Sequence, residues 1–84
     1  MKFCVITFRS VTPAQRGEGI LKRAGLECSI QRTPRWMEEQ GCGYSLRLRC
    51  RDLAAAMELL QENEVAFRKV YMSREGGRME EMRL

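Results

Sequence analysis

The sequence predicts an α+β domain in the order β-α-β-β-α-β, a four-stranded antiparallel sheet with two helices on one face. Three observations predict it. Four runs have strand character, and two stretches carry apolar residues at helical spacing. Each helical stretch also falls between two strand-like runs. At 84 residues there is room for one small domain, expected over residues 1–73, with 74–84 as a flexible tail.

Phe3–Phe8 (FCVITF) is rich in β-branched and aromatic residues and apolar on both faces, as a central strand would be. Thr12 can cap a helix and Pro13 suits its first position. Ala14, Gly17, Ile20, Leu21 and Ala24 then share one face, and Gly25 closes the helix. Gly17 and Gly19 weaken its interior by roughly 1 kcal/mol each, so they imply either close packing or loose first turns. Residues 26–32 alternate as a second strand, until Pro34 forces Thr33 to be extended and ends regular pairing.

Residues 44–51 give the cleanest alternation, with Tyr44, Leu46, Leu48 and Cys50 inward and Ser45, Arg47, Arg49 and Arg51 outward. Asp52 caps a second helix running to about Asn63 with a Leu53, Met57, Leu60 stripe. Residues 65–72 read as the fourth strand, and 79–84 as a polar tail, frayed or briefly helical. The order is that of the ferredoxin-like split βαβ arrangement. Right-handed crossovers then make the first two strands parallel, with the third returning between them. The stretch 33–43 comes to the end of the sheet where the first helix begins. The other face of the sheet stays open or serves association, with Phe3 and Val5 exposed on it.

Fifteen Lys and Arg against eleven Asp and Glu give a net charge of +4, mildly favourable to anionic partners. Histidine is absent, which excludes Ser-His and Cys-His dyads and His-ligated zinc. The four cysteines form no C-x-x-C pair, so neither a zinc ribbon nor a thioredoxin-like motif is present. No metal site and no cofactor are expected. The first apolar run is too short for a signal peptide, and none approaches membrane-spanning length. The expectation is a cytoplasmic protein with reduced thiols and no membrane contact.

Cys4, Cys28 and Cys50 fall at inward strand positions and read as small buried hydrophobes. Cys42 differs, because it lies in the irregular stretch TPRWMEEQGCGY between Gly41 and Gly43, which leave its sulfur open to approach. Positive charge from Arg35, Arg9, Arg16 and the start of the first helix would favour its thiolate. Trp36 and Met37 suit either a cover for the core or a docking contact. The outward Arg47, Arg49 and Arg51 form the alternative site, a basic sheet face for nucleic acid or an acidic protein. Nucleic acid is the weaker partner, because the third strand offers no aromatic outward on which bases could stack. A homodimer through that face is a further alternative.

The stretch also resembles a family of short bacterial proteins described as selenium/sulfur carrier-like. The resemblance is carried by Thr33-Pro34-Arg35, then Cys42-Gly43, then Ser45-Leu46-Arg47, and it extends along the chain to about Met72. It implies a carrier rather than a classical enzyme, holding sulfur or selenium on Cys42 as a persulfide or perselenide. The partners it implies are a cysteine desulfurase-like or selenium-metabolism donor, and an acceptor. Pro34, Arg35, Cys42 and Gly43 match by position. The chain departs from the family between Arg35 and Cys42, where residues 36–41 are bulkier and more acidic than the usual serine-rich stretch.

Overall fold

A computed structural model of the chain describes residues 2–33, 43–73 and 79–82. The elements are β1 (Phe3–Phe8), α1 (Val11–Arg23), β2 (Cys28–Arg32) and β3 (Tyr44–Arg49), followed by a 3-10 turn (Cys50–Asp52). Then come α2 (Leu53–Glu62), β4 (Val70–Ser73) and β5 (Met79–Met82). The fold is α+β, with the two helices against one antiparallel sheet.

The expected sheet of four strands is corrected to five, ordered β2-β3-β1-β4-β5. The fifth strand forms where a frayed or briefly helical tail was expected, pairing Met79 with Ser73 and Met82 with Val70. Two methionines three apart around two glutamates mimic helical spacing. In a strand the same spacing puts Met79 and Met82 on opposite faces, and each packs on a different apolar cluster. The third strand does return between the first two, pairing residue for residue with β1 from Phe3↔Arg49 to Phe8↔Tyr44.

Helix ends decide where two strands begin. After α1 the chain turns through Gly25 at φ +85°, and Leu26 N–H donates to the Leu21 carbonyl at 2.9 Å. That donor is spent, so β2 starts at Cys28 instead of residue 26. After α2 the same turn recurs at Glu64, φ +56°, with Val65 N–H donating to the Leu60 carbonyl at 2.9 Å. The β4 ladder accordingly starts at Val70 instead of residue 65. Arg68 and Lys69 meet Thr7 through backbone hydrogen bonds of 2.8 Å on the way.

Cys4, Ile6, Phe8, Leu46, Leu48 and Val70 supply the sheet side of the core, and Ala14, Leu21, Leu53, Ala56 and Leu60 the helix side. Gly17 explains the weak middle of α1. A Cβ there would meet Leu60 at 3.1 Å and Leu46 at 3.3 Å, so the glycine is a close-approach point.

Two expectations about faces and thiols are overturned. Val5 is 1% exposed, covered within a small cluster with Tyr71, Phe3 and Met79, so the outer face does not offer Val5 to a partner. Cys4 and Cys50 are paired as a disulfide with Cα atoms 5.1 Å apart, and only Cys28 is a free thiol among the described residues. Cys4 faces Leu48 across the ladder, and the 3-10 turn that ends β3 returns Cys50 toward β1, where its N–H meets the Lys2 carbonyl at 3.4 Å.

Candidate functional site

The hairpin between β2 and β3 is closed by its ladder. Arg32 pairs with Tyr44, and Thr33 N–H donates to the Gly43 carbonyl at 3.0 Å. Because Tyr44 also pairs with Phe8, this end of the hairpin shares an end of the sheet with exposed Arg9 and with Ser10, the cap of α1. The neighbourhood of loop base and helix start therefore stands for Thr33, Gly43 and Arg9. Pro34, Arg35, Gly41 and Cys42, and with them Trp36 and Met37, lie outside the described residues. Arg16 serves elsewhere: its guanidinium donates to the Asn63 carbonyl at 3.0 Å and ties α1 to the end of α2.

Sequence reasoning missed two hydroxyls here. Thr33 and Ser45 fall on the outer face at the hairpin base, yet Thr33 is 8% exposed and Ser45 0%. Neither Oγ atom has a hydrogen-bond partner among the described residues. A buried hydroxyl left unpaired costs roughly 1–3 kcal/mol, so the pair stands as two unused polar groups beside the loop. The sequence signal was present for Ser45, a small polar residue among outward arginines, but alternation alone reads it as solvated.

The arginine row does not survive as a row. Arg47 is exposed, with its guanidinium 4.0 Å above the Phe3 ring centroid, and Arg49 meets Glu27 at 3.3 Å. Arg51 leaves the face altogether, because β3 ends at Arg49 and Arg51 sits in the 3-10 turn. Phe3 gives that face the aromatic that β3 itself lacks.

The remaining thiol is muted. Cys28 is half-buried, and its Sγ donates to the Glu18 carbonyl at 3.9 Å. Burial first, then the nearby Glu18 carboxylate, push its pKa up, with Lys22 pulling weakly the other way. A thiol in those surroundings is a poor nucleophile at neutral pH. Among the described residues no group of three or more metal-ligating side chains occurs, and no helix is long and apolar enough to cross a membrane.

No curated protein and no solved structure matches the chain. A family does: the one described as "Putative Se/S carrier protein-like" matches residues 3–72. The match runs from the first residue of β1 to the third of β4, through both helices and the stretch of sequence between β2 and β3 that includes Cys42. The chain belongs to this Se/S carrier protein-like family.

Proposed function

We propose that the protein carries sulfur or selenium on Cys42, taking it from a desulfurase-like donor and passing it to an acceptor protein. One observation carries the reading to that residue. The fold employs the other three cysteines, two as a disulfide and one as a half-buried thiol with a raised pKa. Cys42 remains as the candidate for exchange, and its neighbour in sequence, Gly43, lies at the end of the sheet where α1 begins. The unpaired N–H groups of a helix start and the charge of Arg9 favour a thiolate at that end.

The chemistry is sulfur transfer without net oxidation. The Cys42 thiolate attacks the outer sulfur of a donor persulfide, the donor S–S bond breaks, and the donor leaves as a thiolate that takes up the proton. Cys42 then holds the persulfide until an acceptor nucleophile attacks its outer sulfur and releases the Cys42 thiolate. Selenium follows the same steps as a perselenide. Arg35 has the role of steering the anionic donor, and Thr33 and Ser45 offer unused donors to the charged chalcogen.

The test is loading by a desulfurase and cysteine, with added sulfur mapped to peptides by mass spectrometry. Wild type should gain one sulfur at Cys42 and Cys42→Ala none. Equal loading of the variant would end the carrier reading.

A further inference from the structure

The far end of the sheet holds a cleft that sulfur transfer leaves unused. It has a volume of about 650 Å³, in the range of small-molecule sites, and lies where the chain leaves α1 and enters β2. Its register position is Cys28↔Leu48, four residues along β3 from Tyr44 at the hairpin end, or about 13 Å.

Three cations from two elements border this cleft: Lys22 in the last turn of α1, and Arg47 and Arg49 on β3. Leu26, Leu48 and Phe3 give it an apolar wall. The cations are not equally engaged. Arg49 is held by Glu27, whose carboxylate is 80% exposed, and such a pair is weak and readily displaced. Lys22 reaches Glu18 at 3.5 Å, with its own side chain 56% exposed. Among the described residues Arg47 has no ion-pair partner; Phe3 supports one face of its guanidinium and the residue is exposed.

We propose that this cleft binds a small phosphorylated ligand of about nucleoside monophosphate size. Lys22 and Arg49 on the cleft lining suit the two negative charges of a phosphate better than the single charge of a carboxylate. The free face of the Arg47 guanidinium, stacked on Phe3, provides a platform for a flat ring. Glu27 occupies Arg49 until the phosphate replaces it. Because the cleft and the hairpin are at opposite ends of β3, this inference does not depend on the reading of Cys42.

Backbone amide NMR of the intact chain, titrated with adenosine monophosphate, tests it. Saturable shifts are expected at Phe3, Lys22, residues 25–29 and 47–49, with a Kd below about 1 mM. Arg47→Ala and Lys22→Ala should each weaken binding about tenfold. Arg51→Ala, which removes the same charge outside the cleft, should leave it unchanged. Glu27→Gln should tighten binding about threefold by removing the competing carboxylate. Adenosine or inorganic phosphate binding as tightly as the nucleotide would overturn the proposal. So would equal losses in Arg51→Ala and Arg47→Ala, or shifts confined to the hairpin end.

Discussion

Thr33 and Ser45 are buried with their hydroxyls unpaired among the described residues, an arrangement that stability alone does not favour. Thr33→Val keeps the shape and removes the unpaired group, so it should stabilise the fold by about 1 kcal/mol in thermal melts. The same variant should slow sulfur loading of Cys42, the usual cost of tidying a functional site. Cys28 gives a prediction in pH. Its folded-state pKa lies above the ordinary 9.0, so the folded protein keeps this proton after the unfolded chain has lost it. The contribution to stability is complete below pH 9.0 and fades as pH rises through the folded value. Alkylation of native Cys28 should therefore be slow at neutral pH, and Glu18→Gln should speed it by removing the second cause of the shift. At this scale sequence reading has a clear boundary. Cys42 stood out because it alone breaks the strand pattern. Arg51 was misplaced because alternation ran on by coincidence past the end of β3, and the burial of Ser45 depends on neighbours that no periodicity encodes.

The two crossovers end alike, with the chain reversing through a left-handed residue. Gly25 meets that demand without strain, whereas Glu64 pays the steric penalty of its Cβ at φ +56°. Glu64→Gly should stabilise the domain by about 1 kcal/mol, read as a rise of about 5 °C in Tm. Gly25→Ala should do the reverse. Most of this layer was legible. Both helices and the first three strands exist as patterning expects, and Gly25 closes α1 as a glycine in that place should, but α1 begins at Val11 with Ser10 as its cap instead of Thr12, and β3 stops at Arg49. The late starts of β2 and β4 were not legible, because apolar alternation at residues 26 and 65 cannot report that the backbone N–H is already engaged with the preceding helix.

Across the whole molecule, the Cys4–Cys50 link joins β1 to the turn entering α2 over a sequence separation of 46. By chain entropy a loop of that length contributes about 4 kcal/mol. Reductant should lower the denaturation midpoint of wild type substantially, and Cys50→Ser should start low and not respond to reductant. The expectation of reduced thiols rested on a first apolar run too short for a signal peptide, an argument that does not touch whether Cys4 and Cys50 meet across the sheet. The last strand carries a consequence of another kind. The family match stops at residue 72, while the sheet continues through Met82. A version ending after β4 would present a bare edge of four residues beside the apolar pair Val5 and Tyr71, an invitation to aggregate. The extension covers that edge and sets Met79 on the pair, while its own rim carries Glu80 and Glu81. β5 thus covers an edge that would otherwise be open, and its removal should be felt as aggregation in storage before it is felt in activity.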